Sequence, residues 1–422
     1  MAPLADAPIA PLSERLNREC SCVTLDRDAL CAAMGREADD PQFCATLIDT
    51  RPHLFSTVPM FLSEANVAAM LRVVHAIESV ARLAPYQEAV FSRSPAIARI
   101  DFGPRGAFMG YDFHLGHDGP RLIEINTNAG GAFLNALLAR AQHACCEEML
   151  AGMRRPEARD FDAAVARMFE REWRLQRKSG MPRRIAIVDD KPEEQHFYPE
   201  FILAKRLLEK RGVETVIADP ADLRFDGQLF FKDLPIDLVY NRLVDFFLEG
   251  HEALRAAYEV GAVVVTPNPH AYALFADKRN LALLCDPALL RSWGASDDAV
   301  AALAAIPRTV LVSPANAEQL WRERKKLFFK PATGYGSKAV YRGDRMTHKV
   351  WDAIQRGEYV AQEYAAPSER LVDVDGVAVV RKADVRLYVY DAEILLTAAR
   401  FYEGQATNFR TPGSGFAPVF VV

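Results

Sequence analysis

The stretch Arg121-Leu-Ile-Glu-Ile-Asn-Thr-Asn128, followed by Gly130-Gly131, decides how the rest of the chain is interpreted. Its apolar residues predict a short strand, in which side chains two residues apart point to the same face. Glu124 and Asn126 therefore lie side by side and offer two hard oxygen ligands of the kind that Mg²⁺ prefers. A single Glu-x-Asn on a strand is more often a solvated carboxylate, so a metal site depends on what other segments provide.

A third oxygen ligand precedes this stretch. Asp112 lies twelve residues before Glu124, in the segment Gly110-Tyr-Asp-Phe-His114. The residues between them include Gly116-His-Asp-Gly119, whose composition favours a tight hairpin turn. The sequence therefore predicts a two-stranded hairpin that brings Asp112 beside Glu124 and Asn126 as three candidate metal ligands.

A lysine and a glycine-containing loop stand in the C-terminal half. Leu327-Phe-Phe-Lys330 predicts an apolar strand that ends in a lysine, and Lys278, in the helical run from Ala271, is a second cation. Lysine neutralises phosphate as a point charge, and glycine lets backbone amides approach phosphate oxygens closely. The loop residues that would wrap a terminal phosphate are Gly334, Tyr335, Gly336 and Ser337. The alternative is a plain hairpin with a glycine-rich turn, since the GxxxxGK[ST] pattern of a Walker A loop is absent.

Polar residues recur at the ends of the strands predicted further on. Tyr359 to Tyr364 predicts a strand with polar tips, and Leu387 to Tyr390 pairs with Ile394 to Ala399. The residues singled out in this part are Gln362, Glu363, Tyr364, Glu369, Asp384, Arg386, Arg400, Thr407, Asn408, Gly413 and Gly415. Arginine suits bidentate binding of a carboxylate or phosphate, although Arg386 and Arg400 are alternatively structural ion pairs.

Together these motifs resemble those of the ATP-grasp carboxylate–amine ligases, over roughly residues 95 to 422. In most of that superfamily the Asp…Glu-x-Asn set closes the chain. Here it comes first, which resembles the circular permutation of the eukaryotic-type glutathione synthetases. The loop from Ala332 to Ser337 is sparser in glycine than in that family, so the substrate is not carried over. The resemblance implies an α/β fold with α+β elements: a circularly permuted ATP-grasp fold with an open α/β substrate domain and a helical N-terminal region.

The resemblance also implies ATP and Mg²⁺ as cofactors and a role for each candidate residue. Asp112, Glu124 and Asn126 would hold the metal, and Lys278 and Lys330 would neutralise the α- and β-phosphates. The other implied assignments are Gly334, Tyr335, Gly336 and Ser337 to the γ-phosphate, Gln362, Glu363 and Tyr364 to adenine, Glu369 to ribose, Arg386 and Arg400 to the reacting centre, and Arg242, Asn408, Gly413 and Gly415 to the substrates. A structural ion pair is the alternative for Arg242.

The activity that the resemblance implies is ATP-dependent carbon–nitrogen ligation between small-molecule carboxylate and amine substrates. The acid becomes an acylphosphate, the amine displaces the phosphate, and the enzyme releases ADP and phosphate. Two alternatives share the same site. One is a small-molecule kinase, which passes on the phosphoryl group and stops there. The other is a non-catalytic ATP-binding module.

Composition limits the partners of this 422-residue chain. It is 50% apolar and 25% charged, which is ordinary for a globular enzyme. A net charge of −5 argues against general affinity for nucleic acid or anionic membranes. No apolar run approaches a membrane span, and the start lacks the basic region of a signal peptide, so we expect a cytoplasmic protein. The sequence does not reveal the oligomeric state, for which a homodimer is the commonest case among soluble oligomers.

The pattern of predicted elements divides the chain into four parts. Residues 1–90 form a helical N-terminal region, and residues 91–180 form the ATP-grasp part with the metal-binding hairpin and helices. Residues 181–270, which follow Ser179-Gly-Met-Pro182, alternate strand and helix and predict an α/β substrate domain. Residues 271–422 hold the nucleotide-binding lid and return to the catalytic sheet.

The seven cysteines do not indicate a disulfide framework in a long chain expected in the cytoplasm. Cys20-Ser-Cys22, with Cys31 and Cys44, offers thiolates for zinc, but the spacing matches no common zinc pattern. We therefore expect buried or half-exposed thiols. Phe133 to Met153 predicts one helix, within which Cys145-Cys146 would pack rather than react.

Overall fold

The computed structural model describes residues 11–422, apart from residues 117, 148, 151–156, 335–338 and 406. Helices and strands are both present along most of this part of the chain, in runs of one kind as well as in alternation. The helices are α1 (Leu12–Glu19), α2 (Arg27–Ala38), α3 (Phe43–Thr50), α4 (Glu64–Ala81), α5 (Ala84–Phe91), α6 (Ala132–Arg140), α7 (Glu157–Arg177), α8 (Tyr198–Lys210), α9 (Glu252–Glu259), α10 (Pro269–Phe275), α11 (Arg279–Leu284), α12 (Pro287–Ser292), α13 (Asp297–Leu303), α14 (Ala317–Glu323) and α15 (His348–Arg356). The strands are β1 (Met60–Leu62), β2 (Met109–Gly116), β3 (Gly119–Asn126), β4 (Arg184–Val188), β5 (Glu214–Ala218), β6 (Leu223–Phe225), β7 (Leu229–Phe231), β8 (Leu234–Pro235), β9 (Leu238–Asn241), β10 (Val264–Thr266), β11 (Thr309–Leu311), β12 (Leu327–Pro331), β13 (Tyr341–Arg342), β14 (Tyr359–Glu363), β15 (Ser368–Val374), β16 (Val377–Tyr390), β17 (Glu393–Tyr402) and β18 (Gly415–Val421).

The largest sheet of the described residues has seven strands, in the order β1-β18-β17-β16-β2-β3, with β15 on the first half of β16. β2 and β3 form the predicted hairpin, and their register places Asp112 opposite Glu124. β16 then pairs Arg386 with Asp112, and β17 pairs Arg400 with Asp384. Candidate residues that are far apart in the sequence, such as Asp112 and Arg386, thus lie on neighbouring strands.

The first and the last strand of the described chain pair with each other in this sheet. β1 runs parallel to β18, with Met60 opposite Val419 and Leu62 opposite Val421. The sequence analysis predicted a helical N-terminal region and did not predict this strand. The three residues of β1 are all buried, so they lack the alternation of apolar and polar side chains by which a half-exposed strand is recognised.

A second sheet has four parallel strands, in the order β10-β9-β4-β5, among the residues described. Residues 185–188 are fully buried, because the faces of a parallel sheet are covered by helices. α8 follows β4 and α9 follows β9, which confirms the predicted alternation of strand and helix. Asp189, Asn241 and Thr266 stand at the carboxyl ends of three strands, the edge at which open α/β sheets bind ligands.

A third, antiparallel sheet, β11-β14-β12-β13, carries Lys330 on β12 and Gln362 on β14. Leu327 and Phe329 point to one face of β12, where they form an apolar cluster with Trp351 of α15. Since neighbouring strand residues point to opposite faces, Lys330 emerges on the other side of the sheet. β6, β7 and β8 form a separate small sheet.

The helices pack their apolar faces against the sheets. α4 begins after Ser63, whose hydroxyl caps the helix by accepting a hydrogen bond from the Asn66 amide. Val74 and Ile77 of α4 are fully buried in the cluster that also contains the large sheet. Among the described helices, none combines the length and apolar character that a bilayer span requires.

One predicted helix is shorter than expected. The run from Phe133 to Met153 ends its first helical part, α6, at Arg140. The chain turns there because Gln142 forms a β-bridge with Leu25, which ties it to the N-terminal region. Cys145-Cys146 therefore lies beyond α6 rather than inside a continuous helix.

Two further local predictions are wrong. Free thiols were expected at Cys31 and Cys44, but a disulfide joins them. α2 and α3 are neighbours there, and the two Cα atoms lie 5.0 Å apart, within the range that such a bond spans. The strand predicted over Leu387 to Tyr390 is much longer and starts at Val377, because the first half of β16 pairs with β15.

Candidate active site

Most of the described residues that were predicted to bind the nucleotide line one cleft, which is open to solvent. Its walls come from β3, β12, β14, β17 and the segment before α11. The predicted residues that line it are Glu124, Lys278, Lys330, Gly334, Gln362, Glu363, Tyr364 and Arg400. Tyr335, Gly336 and Ser337, predicted to wrap the γ-phosphate, lie outside the described residues.

Lys330 lies at the floor of the cleft and is held by two hydrogen bonds. Its Nζ donates to the Ile123 carbonyl at 2.8 Å and to Gln362 Oε1 at 2.9 Å. Burial lowers the pKa of Lys330 to about 8, with Glu124 opposing that shift and Lys278 adding to it. The lysine is therefore a buried cation that lacks full compensation, as expected of a group placed to meet an anion.

Glu124 and Lys278 form the second charged group of the cleft. Lys278 Nζ lies 3.2 Å from Glu124 Oε1 and donates to the Gly334 carbonyl at 2.9 Å. Burial opposes ionisation of Glu124, but Lys278 and Lys330 outweigh it and lower the pKa of this carboxyl. Glu124 is thus an ionised oxygen donor between two lysines, next to the first residue of the glycine-containing loop.

Asp112 lies at the centre of an arginine cluster. Arg386 donates from Nε to Oδ1 at 2.6 Å and from Nη2 to Oδ2 at 2.7 Å. Arg400 Nη2 and Asn126 Nδ2 donate to the same Oδ2 at 2.8 and 3.1 Å. Burial alone would raise the pKa of Asp112, but Arg386 and Arg400 outweigh it and lower that pKa to about 2.

This geometry bears on two of the predicted metal ligands. Asp112 is 1% exposed and its oxygens are committed to the arginines, so it is placed to position them rather than to face a metal. The amide nitrogen of Asn126 is committed to Asp112, which leaves the amide oxygen as the atom able to take a cation. Glu124 and Asn126 are therefore the better-placed ligands of the predicted set.

Arg400 is fixed by a second carboxylate that the sequence analysis left without a role. Its Nε donates to Asp384 Oδ1 at 2.6 Å, and Thr407 Oγ1 donates to Asp384 Oδ2 at 2.6 Å. Burial would lower the pKa of Arg400, but Asp112 and Asp384 outweigh it and raise that pKa. Arg400 reaches the cleft wall, whereas Arg386 is enclosed against Asp112. The spacing of Asp384 two residues before Arg386 was the available signal, since it places both on one face of β16.

The residues predicted to meet adenine differ in their freedom to do so. Gln362 is buried between Lys330 and Thr309, to whose Oγ1 its Nε2 donates at 3.2 Å. Its side chain thus orients a lysine. The Tyr364 ring packs under the guanidinium of Arg342 at 4.3 Å, and both line the cleft with Glu363.

Glu369 does not line the cleft. It is exposed on β15, opposite Lys382 of β16. Lys382 does line the cleft, although the sequence analysis did not single it out. The register between β15 and β16 decides which of these two residues faces the cleft. That register cannot be deduced from the sequence of either strand alone.

Arg242, a predicted substrate ligand, lies away from the cleft at the carboxyl end of β9. It is 6% exposed, and its Nη1 donates to the Tyr240 hydroxyl at 3.2 Å. Burial would lower the pKa of Arg242, but Tyr240, Glu200 and Asp189 outweigh it and raise that pKa. Burial raises the pKa of Asp189 to about 7, although Arg242 opposes this. Arg242 thus stands in a buried charged cluster close to Gly130.

Gly413 and Gly415 have structural reasons to be glycine. Gly413 has a φ of 74°, and a Cβ there would lie 2.7 Å from the Val374 side chain. Gly415 has a φ of 121°, and a Cβ there would lie 2.8 Å from the Leu54 carbonyl. Neither lines the cleft, and Asn408, the third of this group, donates its side-chain amide to the Glu403 carbonyl. Their substrate roles stay predictions.

His114 also lines the cleft, although the sequence analysis gave it no role. It is buried, and its Nδ1 donates to the Ala365 carbonyl at 2.8 Å, with the Tyr402 hydroxyl 3.3 Å from Nε2. Burial lowers the pKa of His114, so the ring is neutral near pH 7. A neutral histidine here supports the wall beside Arg400 without adding charge.

Comparison with known proteins gives one solved structure that is similar enough to support an argument about the fold. No protein-family model and no functionally curated protein matches this sequence. Among solved structures, the chain is similar to GSS30, a glutathione synthetase-like effector from Globodera pallida in its apo form, at 12% identity and a TM-score of 0.56. That match covers 95% of this chain and 99% of that chain.

Two further structures are less similar, and their TM-scores are too low to support an argument. One is from Methylobacillus flagellatus KT, a protein provisionally assigned as a gamma-glutamylcysteine synthetase, at 12% identity and a TM-score of 0.45 over 86% of this chain and 89% of that one. The other is the ATP-grasp ligase PsnB with its minimal precursor, Mg and ADP, at 14% identity and a TM-score of 0.30 over 56% and 88%. The likeness to GSS30 shows the fold alone: this chain has the circularly permuted, ATP-grasp-like α/β fold of a glutathione synthetase-like protein, as its motifs predicted.

Proposed function

We propose that this protein is an ATP- and Mg²⁺-dependent ligase that joins a small-molecule carboxylate to an amine through an acylphosphate. The observation that carries the proposal is the meeting of Lys278, Glu124 and Lys330 with Arg400 around one cleft. Phosphoryl transfer needs cations beside the phosphates and at the reacting centre, because catalysis depends on positioning and on neutralising charge. The fold shared with a glutathione synthetase-like protein supports the same reaction class.

The residues present fit a magnesium ion. Glu124 is an ionised carboxylate, and the Asn126 amide oxygen lies on the same face of β3. These are hard oxygen donors, which Mg²⁺ uses in small number together with nucleotide phosphates. When bound, the ion would supply charge neutralisation at the phosphates. Asp112 enters the proposal as the positioning partner of Arg386 and Arg400.

The chain's own residues divide the work of the reaction. The substrate carboxylate attacks the γ-phosphorus and ADP leaves; the amine then attacks the acyl carbon and phosphate leaves. Lys330, oriented by Gln362, and Lys278 hold the nucleotide phosphates in place. Arg400 presents its guanidinium at the cleft wall, where negative charge builds up on the reacting group. Asp112 and Asp384 keep that guanidinium in one orientation.

The test is turnover by the purified protein with MgATP and a pool of amino acids, small peptides and polyamines. ADP, phosphate and product masses are measured, with Glu124→Gln as the site variant. Glu369→Gln is the matched control, because Glu369 is exposed and does not line the cleft. We expect pool-dependent ADP release and a product lighter than its two substrates by one water, lost in Glu124→Gln and kept in Glu369→Gln.

Other outcomes distinguish the alternatives. A product heavier than its substrate by one phosphoryl group would identify a kinase. Tight MgATP binding without turnover on any pool would favour a binding module. The proposal fails if the wild-type protein does not bind MgATP at all, or if Glu124→Gln turns over as fast as the wild type.

A further inference from the structure

Three cysteines from two separate segments of the chain lie close together in the fold. Cys20 lies at the C-terminal end of α1, Cys22 follows two residues later, and Cys145 comes after α6. Their three sulfur atoms all lie within 4.8 Å of one another. Cys146 is close enough to Cys145 to interact with it through hydrogen bonding. The fold therefore gathers the thiols of two separate segments, whereas Cys31 and Cys44 are used in a disulfide elsewhere.

A buried arginine lies beside these thiols. Arg370 is 0% exposed, and its guanidinium donates to the carbonyls of Pro59, Asn17, Leu371 and Cys20. Within the described part of the chain, its Nη2 has no hydrogen-bond partner.

Among the residues that the structure describes, the hydrogen-bond acceptors of Arg370 are backbone carbonyls, and none is a carboxylate. The groups that act electrostatically on it are Cys20, Cys145 and Cys22. A buried cation without an anion is unfavourable, so Arg370 favours a negatively charged group beside it.

We propose that Cys20, Cys22 and Cys145 form a thiolate site for Zn²⁺, with Cys146 or solvent as the fourth ligand. Three thiolates and one Zn²⁺ carry a net charge of −1, which the single positive charge of Arg370 balances. Sulfurs around tetrahedral zinc lie about 3.8 Å apart, given Zn–S bonds of about 2.3 Å. Since the sulfurs lie within 4.8 Å of one another, the cluster reaches this by a contraction of at most about 1 Å, and Cys22 and Cys145 are exposed side chains outside helices and strands.

Such a site would join three parts of the fold. Cys20 and Cys22 belong to the N-terminal segment, Cys145 to the segment after α6, and Arg370 to β15 of the large sheet. With Cys146 as the fourth ligand the set would be closed, which is typical of structural rather than catalytic zinc. The proposal does not depend on the ligase activity, because none of these residues lines the nucleotide cleft.

The test is a Co²⁺ titration of the reduced, full-length protein under anaerobic conditions, followed by displacement with Zn²⁺. We expect about one equivalent to bind with the intense sulfur-to-cobalt charge-transfer absorption and the visible bands of a tetrahedral site. Zn²⁺ should abolish both. Cys22→Ser removes an exposed ligand and should lose these bands. Cys285 lies outside the cluster and donates a hydrogen bond to the Thr309 carbonyl, so Cys285→Ser should keep them.

A second measurement keeps the test decisive if Cys22→Ser does not fold. Thiol alkylation of the wild type is followed by peptide mass with EDTA and with Zn²⁺. Zn²⁺ should slow labelling of Cys20, Cys22 and Cys145 at least tenfold and leave Cys285 unchanged. Weak octahedral cobalt spectra, equal labelling with and without Zn²⁺, or a disulfide linking two of these thiols in the protein as isolated would each overturn the proposal.

Discussion

Asp112 shows how one buried carboxylate organises the site. It accepts hydrogen bonds from Arg386, Arg400 and Asn126, and it is 1% exposed. Removing one partner of a buried ion pair leaves the other charge uncompensated, at a cost of about 3–5 kcal/mol. We expect Asp112→Asn to lower the free energy of unfolding by about that amount, measured by urea denaturation. Asp226→Asn, which breaks an exposed ion pair with Arg224, should change it by less than about 1 kcal/mol.

The pH dependence of stability should report on the same carboxylate. Its pKa in the folded protein is about 2, below the ordinary value of 3.8. A group with a depressed folded pKa contributes stability above its unfolded pKa and loses that contribution as the pH falls through the folded pKa. The wild type should therefore lose stability more steeply than Asp112→Asn as the pH falls from about 4 to about 2. Parallel curves would contradict the buried charge cluster.

Lys330 should make nucleotide binding sensitive to alkaline pH. Because burial holds its pKa near 8, the free protein loses this positive charge above about pH 8. We expect the MgATP affinity, measured by calorimetry, to fall by up to about tenfold per pH unit in that range. Lys330→Arg keeps the charge and should flatten the profile, while Lys330→Met should bind MgATP at least about tenfold more weakly near pH 7. Wild-type affinity in Lys330→Met would exclude a phosphate role.

Part of this site follows from the sequence at the residue scale, and part does not. Glu124 and Asn126 are two apart on one strand, so their shared face is a local property that the strand period predicts. Lys330 likewise follows an apolar strand. The engagement of Gln362 with Lys330 is different, because it depends on how β14 pairs with β12, and that register is set by the whole sheet.

At the scale of elements, the junction between β3 and α6 depends on a glycine. Gly131 has a φ of 98°, and a Cβ there would lie 2.3 Å from the Phe416 ring. Gly119, in the β2–β3 turn, has a φ of 101° but open space around it. Gly119→Ala should therefore cost about 1–2 kcal/mol from backbone strain alone.

Gly131→Ala adds overpacking to the same strain and should cost roughly 2–5 kcal/mol in total. The difference between the two variants, measured by thermal or urea unfolding, isolates the clash with Phe416. Equal losses in both variants would mean that the ring moves aside freely. The amides of Gly131 and Phe133 also donate to the buried Glu200 carboxylate, which fixes the first turn of α6.

Elements were predicted well where local signals act and poorly where tertiary pairing decides. α8 (Tyr198–Lys210) lies in the part predicted to alternate strand and helix, because its apolar period is a local feature. α6 stops at Arg140 although the following residues also suit a helix. The bridge between Gln142 and Leu25, which are more than a hundred residues apart, follows directly after this helix. Such a distant partner cannot be predicted from the local sequence pattern.

At the scale of the molecule, the cleft proposed to bind the nucleotide is built between two sheets. β3 of the large sheet provides Glu124, and β12 and β14 of the antiparallel sheet provide Lys330 and Gln362. Saturating MgATP should therefore slow amide hydrogen exchange in β3, β12 and β14 together. β6, β7 and β8 form a separate sheet that contributes nothing to the cleft, and their exchange should stay unchanged. Protection confined to the parallel sheet would place the nucleotide elsewhere.

The overall fold class could be predicted because several weak motifs fall in one order along the chain. The order of the Asp…Glu-x-Asn set before the lysines indicated a permuted arrangement, and the likeness to GSS30 confirms the fold. The closure of the large sheet by β1 could not be predicted. A strand of three buried residues has no period of its own, and its identity comes only from its neighbour β18.

The pairing of β1 with β18 has a consequence for how the protein is made. Met60 meets Val419, a partner that the ribosome adds about 360 residues later. At the translation rates typical of cells, this interval lasts on the order of tens of seconds. Throughout that time the nascent chain carries an apolar strand, including the fully buried Phe61, that has nothing to pair with. Chaperone binding during synthesis should therefore concentrate on this segment and end when residues 415–421 emerge.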